Sequence, residues 1–514
     1  MSGQDKESTT DCPVTPDTVR ADAKAAFEAV VVFCETCESP FALFEKELLI
    51  RIAVLGVCLI RLFLTACHAR LDVQPFLEDG TYRRGEPYAE RTLKTVYGKV
   101  TYGRQYLQSC GGGSGLFPLD IVLGLTRDRL SPWVMQWVAR LATRMSFKAA
   151  QMVCRAVLNW APATETIEQV VLGMGRDAAP FMKQLEVPDD DGETLVIEID
   201  GKCPPTATEG ELAKRRGKRR AKDARSCACG CQRHRGRQKR EARGSRKRRK
   251  KGDKSKNGKE VMVVVMYTLK RGRDGQLHGP LNKKLYATFG GRKAAARWAR
   301  QEATRRGFGP DTERTIQIVM DGASGLRDNL KLLFPKAILT LDVCHVVEKL
   351  WSLGHHFHGE GSEELSEWVE ELKTLVYEGK PSVLVKRLKR LRDEVSRHGP
   401  GTKARRKALT GVIGYVETRL DMMSYAEWMG QDLVIASGQV EGAVRHLVGE
   451  RFDCAGMRWV QKKAEALLHL RCIELNGDWD RFVNWFQRKV HENPKSGKRR
   501  KILTDQPLTF AKAA

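Results

Sequence analysis

Two short apolar runs each stop at an Asp-Gly pair, and this repeated punctuation constrains the fold more than any other feature of the chain. Residues 195–200 read LVIEID before Gly201, and residues 315–321 read TIQIVMD before Gly322. Runs of this length, rich in β-branched residues and closed by turn formers, predict strands of a sheet buried on both faces. Residues 261–267 (VMVVVMY) and 284–289 predict two further strands joined through an Asp274-Gly275 turn. Helical periodicity covers 292–307, a short helix covers 324–333, and 337–343 is a fifth strand. The predicted order is strand, strand, strand, helix, strand, helix, strand.

Crossovers through helices make the later strands parallel, while the turn makes the hairpin antiparallel. The expected fold class is therefore α/β, a ribonuclease H-like mixed sheet. Ligands bind open α/β sheets in the crevice beyond the carboxyl ends of the strands. Asp200 and Asp321 would reach that crevice together, and the fifth strand would bring Asp342 and His345. Carboxylate oxygens suit Mg²⁺, and two ions about 4 Å apart serve in-line displacement at phosphorus. Glu441 is the third acid, because it lies at the edge of the apolar stripe Val440, Val444, Leu447 and Val448. A single acid at a strand end is ordinarily a turn former or helix cap. The combination is what points to chemistry. Glu198, on the same strand face as Asp200, is a weaker competitor.

Charge points to the partner. The chain of 514 residues carries +26, and residues 211–260 alone hold 23 Lys/Arg against 5 Asp/Glu. Such density calls for a polyanion, because each neutralised phosphate releases condensed counterions. The most apolar stretch, 48–64, is interrupted by Arg51 and Arg61 and reads as a buried helix, so no membrane partner is expected. A cytoplasmic location follows, with reduced cysteines. Residues 1–18 read as disordered, and 19–185 as a mainly helical, DNA-binding region with a short β element near 92–107. The core spans 192–345, interrupted by the basic insertion 205–258. An all-helical insertion follows at 346–430. The core's C-terminal helices, carrying Glu441, run from 431 to 490, before a basic tail at 491–514.

Asp321-Gly322 with Phe334-Pro335-Lys336-Ala337 and Asp342-Val343-Cys344-His345 resemble the second-aspartate region of Mutator-like transposases. Ser437-Gly438-Gln439-Val440-Glu441, Gly456-Met457-Arg458-Trp459 and Leu475-Asn476-Gly477-Asp478-Trp479 are similar to the C-terminal signature of ISKra-type insertion-sequence transposases. The resemblance implies a DDE triad of Asp200, Asp321 and Glu441, dependence on two Mg²⁺ or Mn²⁺ ions, and action on terminal inverted repeats and target DNA. It implies a supporting role for His345 near the scissile phosphate, with Asp342 and Arg458 as further supporting residues. A homo-oligomer in the bacterial nucleoid is expected, since two element ends must be held together.

Cys227, Cys229, Cys231 and His234 are metal-capable by type, but zinc prefers two to four residues between cysteines, and these are spaced by one. Two rival functions remain: a non-enzymatic nucleic-acid-binding protein derived from a transposase, and a ribonuclease H-like nuclease without strand transfer.

Overall fold

The computed structural model describes residues 15–492 except 79, 127, 211, 213–258 and 455–456. It divides into two compact units. One contains the residues up to 177 together with those from 478 onward, and the other spans 178–477.

In the first unit, helices Pro16–Thr36 and Phe41–Arg70 pack as a hairpin. The Thr15 hydroxyl accepts the Thr18 N–H and caps the first helix, so regular structure begins inside the segment expected to be disordered to residue 18. Strands β1 (Tyr82–Arg84) and β4 (Leu107–Ser109) pair antiparallel, as do β2 (Ala89–Thr95) and β3 (Gly98–Arg104), which form the β element expected near 92–107. Leu93, Val100 and Tyr102 pack on Leu64, Cys67 and Leu119. Beside them Asp120 is held by Arg91, Arg104 and the Tyr102 hydroxyl. Ser131 caps Pro132–Arg144 through the Val134 N–H, as its Ser-Pro start predicts. Helix Trp479–Glu492 groups with this unit, where Lys489 pairs with Asp177, whereas the sequence reading continued the core to 490.

The apolar stretch 48–64 forms a helix, but not the buried one expected. Ile52, Val54, Leu59 and Phe63 are 42–55% exposed, and Phe27 on the neighbouring helix is 53% exposed. Arg51 lies over the Phe33 ring and pairs with Glu47, and Arg61 pairs with Asp22. The first helix and β3 therefore cover only part of its surface. Phe41–Arg70 is the one described helix long and apolar enough to cross a membrane by length and composition.

The second unit is built on a five-stranded mixed sheet, β5 (Thr194–Lys202), β6 (Val261–Arg271), β7 (Leu277–Thr288), β8 (Thr315–Met320) and β9 (Ile338–Leu341), in the order β7-β6-β5-β8-β9. The β5/β6 and β6/β7 pairs are antiparallel, and β5/β8 and β8/β9 are parallel. On one face, Leu195, Ile197 and Ile199 join Met262, Val264, Ile318, Met320 and Leu341 in a core with helices Arg292–Arg305 and Ser324–Leu333. Full burial of each such aliphatic side chain contributes about 1.5–3 kcal/mol. Helices Gly438–Val444 and Gln461–Leu475 pack against the antiparallel part of the sheet.

Helices Glu363–Tyr377, Pro381–Glu394 and Thr402–Glu417 form the expected helical insertion between β9 and Gly438–Val444. The basic insertion has a closed neck. The Lys259 N–H donates to the Thr206 hydroxyl at 3.0 Å, and residues 205–207 pair with Trp459.

Candidate active site

The strand register decides which side chains meet. Ile199 pairs with Met320, and Met320 with Leu341. One residue further along, Asp200, Asp321 and Asp342 stand abreast at the carboxyl ends of three adjacent parallel strands. Neighbouring strands lie about 4.8 Å apart. Side chains alternate along a strand, so these three share the face opposite Ile197 and Ile318. On that face Glu198 lies beneath them, and the Gln317 amide donates to the Thr340 hydroxyl at 2.8 Å.

Each aspartate is fixed differently. Asp200 is half-buried and accepts the Gly201 N–H at 2.6 Å. Burial raises its pKa, the Gly201 bond opposes the rise, and the charges of Asp321 and Asp342 add to it. Asp321 accepts the Ala323 N–H at 2.9 Å, while its carbonyl takes the Tyr415 hydroxyl at 3.1 Å. Gly322 follows with φ +74°, and a Cβ there would lie 2.3 Å from Arg419 Nε. Glycine is required by both backbone and space. Arg419 donates to the Gly322 carbonyl at 2.9 Å, so the helical insertion is tied to this turn.

Asp342 is fully buried and caps helix Val343–Gly354. Its carboxylate accepts the Cys344 N–H, His345 Nδ1 and the Ser437 hydroxyl. Burial pushes the Asp342 pKa up, but the bonds from His345 and Ser437 outweigh it and the net shift is downward. The same bond raises His345 to about 9, against burial. The carboxylate, 2.9 Å from Nδ1, favours the imidazolium form of His345.

Glu441 is exposed on helix Gly438–Val444, and two buried acids fix that helix. Asp342 takes the Ser437 hydroxyl before its first turn. Glu198 accepts the Val440 N–H at 2.8 Å and, with its other oxygen, the Tyr267 hydroxyl at 2.8 Å. Five residues of wide π-type turn follow, Arg445–Gly449, whose His446 and Leu447 carbonyls accept from buried Arg471. Such insertions re-aim side chains and recur at functional sites.

The sequence expectation grouped Asp200, Asp321 and Glu441. Among the described residues, the metal-capable group whose donor atoms lie within 4.8 Å of one another is instead Asp342, His345 and Glu441. Asp200 and Asp321 stand beside that group: the charges of Asp321 and Asp342 act on Asp200, and those of Asp342, Glu348 and Asp200 act on Glu441. Burial and the Asp342 charge raise the Glu441 pKa. A row of mutually repelling carboxylates with free oxygens is the donor set that a hard divalent cation fits. Asp342 fits least, since hydrogen bonds already engage both its oxygens.

Arg458 is exposed. Trp459 is a packing residue: its ring lies against Phe452 and under Arg451, and its N–H donates to the Phe452 carbonyl. Cys227, Cys229, Cys231 and His234 lie outside the described residues. A cavity of about 250 Å³, lined by Arg300, Arg314, Thr315 and Ile338, opens at the opposite ends of the parallel strands, away from the carboxylates.

Glu198, Tyr267 and Ser437 matter more to the site than the sequence alone indicates. The available signal was a charged residue at an inward position of an otherwise apolar strand.

Comparison with known proteins gives likenesses of three kinds. Residues 43–222 match the model of an uncharacterised protein family, UPF0236. A UPF0236 protein in the vanSb 3′ region of Streptococcus gallolyticus is 31% identical over 146 residues, which are 27% of this chain and 31% of that protein. The match thus spans about a third of the curated relative's length. Among solved structures, the Drosophila P element transposase strand transfer complex covers 69% of this chain and 94% of its own at 12% identity, with a TM-score of 0.30, too low for a shared fold to be read from it.

Proposed function

We propose that this chain is a DNA transposase with a ribonuclease H-like catalytic core, cutting at the ends of a mobile element and joining them to target DNA. One observation carries the reading: Asp200, Asp321 and Asp342 stand abreast at the strand ends, with Glu441 on a helix pinned to the same face by Glu198 and Asp342. The strand order, with its antiparallel hairpin and two parallel crossovers, supports the ribonuclease H-like assignment. The charge of +26 supports a nucleic-acid partner.

Asp200, Asp321 and Glu441 would hold a pair of Mg²⁺ or Mn²⁺ ions. Such ions activate an attacking oxygen and stabilise the leaving one. The chain's own contribution is rigidity and charge. The sheet register sets the spacing of the aspartates, and the Glu198 and Asp342 bonds fix the glutamate's helix. His345, hydrogen-bonded to Asp342 at 2.9 Å, would stand at the edge of the row beside the phosphate.

A strand-transfer assay on duplexes ending in the element's inverted repeats, with Mg²⁺ or Mn²⁺, tests this. Asp200→Asn, Asp321→Asn and Glu441→Gln should each lower cleavage and joining at least about 100-fold, with unfolding temperatures unchanged or raised as repulsion is relieved. Undiminished joining by any of the three would remove that residue from the triad. Cleavage without joining would favour a plain nuclease.

A further inference from the structure

The charge of +26 has two sources. Residues 211–260 hold +18 and residues 380–407 hold +9, which leaves −1 for everything else. The second source falls on a described pair of helices, Pro381–Glu394 and Thr402–Glu417, and comprises eleven Lys/Arg against two Asp/Glu.

Some of these cations serve the fold. Lys389 pairs with Glu417 and Arg387 with Glu371, while Arg406 donates to the Arg392 and Val395 carbonyls. Others do not. Lys386, Arg390, Arg397, Lys403 and Lys407 are exposed, and their side chains have no ion-pair or hydrogen-bond partner among the described residues.

The helical repeat of 3.6 residues places the four that lie on the helices. On the first helix, Leu384, Val385 and Leu388 are buried, and Lys386 and Arg390 stand opposite that stripe. On the second, Leu409, Ile413 and Val416 are buried, and Lys403 and Lys407 point away from them, one turn apart. The Lys389–Glu417 pair and Arg406 mark the seam between the helices. Both unpaired couples lie on the outer side of that seam. Like charges one turn apart destabilise a helix, so this arrangement does not serve folding.

The second helix also reaches the candidate active site, because Tyr415 donates to the Asp321 carbonyl. From Tyr415 back to Lys403 is about 18 Å of helix axis, equivalent to about five base pairs of duplex. We propose that the outer face of this hairpin grips the sugar–phosphate backbone of duplex DNA about five base pairs from the phosphate being cut. The proposal rests on the transposase reading for its choice of polyanion.

The test uses the full chain and a duplex of about 30 base pairs, with binding measured by fluorescence anisotropy as salt is raised. Each lost phosphate contact removes about 0.9 from the slope of log affinity against log salt. The variant K386Q/R390Q/K403Q/K407Q should therefore lose about 3 to 4 from that slope while unfolding no earlier than wild type. Neutralising two already paired cations, K389Q/R387Q, should change it by less than about 1. Deoxyriboses about five base pairs from the cut should be protected from hydroxyl radicals in wild type and not in the fourfold variant. An unchanged slope in that variant, with wild type still cutting DNA, overturns this surface and leaves the transposase reading standing. A slope change found with duplex RNA and not with duplex DNA also overturns it. A reduced slope in a chain that cuts no DNA supports the surface and removes the proposed enzyme.

Discussion

Strand β5 and helix Phe41–Arg70 are both dense in apolar residues, yet they end in opposite surroundings. Every position from Leu195 to Ile199 is closed to solvent, while Leu43, Val54, Leu59 and Phe63 are more than half exposed. A strand must find its hydrogen bonds on neighbouring strands, so an apolar run between turn formers already implies flanking partners. A helix satisfies its own backbone, and its apolar stripe says only that some face exists to be covered. Periodicity therefore carries more tertiary information in this sheet than in this helix.

Truncating side chains in the strand and in the helix tests this difference. Ile197→Ala empties a site closed on all sides and should cost about 2–5 kcal/mol in urea unfolding. A cost under about 1 kcal/mol would mean that the sheet is packed no better than the helix hairpin.

The next largest effect lies at the strand ends, where polar contacts take over from packing. Asp342→Asn weakens bonds to His345 and Ser437 and should cost about 1.5–3 kcal/mol at neutral pH. The linkage has a definite sign. The His345 pKa is raised to about 9 in the fold, so its contribution is complete below the ordinary histidine range and fades as pH rises through 9. Wild type should lose stability between pH 7 and 10 more steeply than His345→Gln, as read from unfolding temperatures. Parallel curves would show that the pair does not stabilise the fold.

The smallest effect belongs to the helix hairpin. Leu59→Ala should shift stability by no more than about 0.5 kcal/mol, because Leu59 is 51% exposed. A larger loss would place a cover over this face in solution.

The same contrast explains what the sequence could disclose. The five strands, their order and the aspartates closing three of them follow from short apolar runs and turn formers. Glu441 was legible from its helix edge and from a family resemblance. What anchors it was not. Glu198 meets Tyr267 and Val440 across 69 and 242 residues, and Ser437 meets Asp342 across 95. No local pattern announces such pairs, because each exists only once the sheet has brought distant segments together. For the same reason the sequence points to Asp200, Asp321 and Glu441, whereas among the described residues the donor atoms within 4.8 Å of one another belong to Asp342, His345 and Glu441.

The bond between Lys259 and Thr206 separates the length of the insertion from the placement of the strands beside it. A flexible segment closed at such a neck can change length at a cost that grows only with the logarithm of that length, about 0.6 kcal/mol per doubling. The strands on either side keep their register throughout. Changes of length or charge between residues 206 and 259 thus leave the carboxylates a few residues upstream where they are.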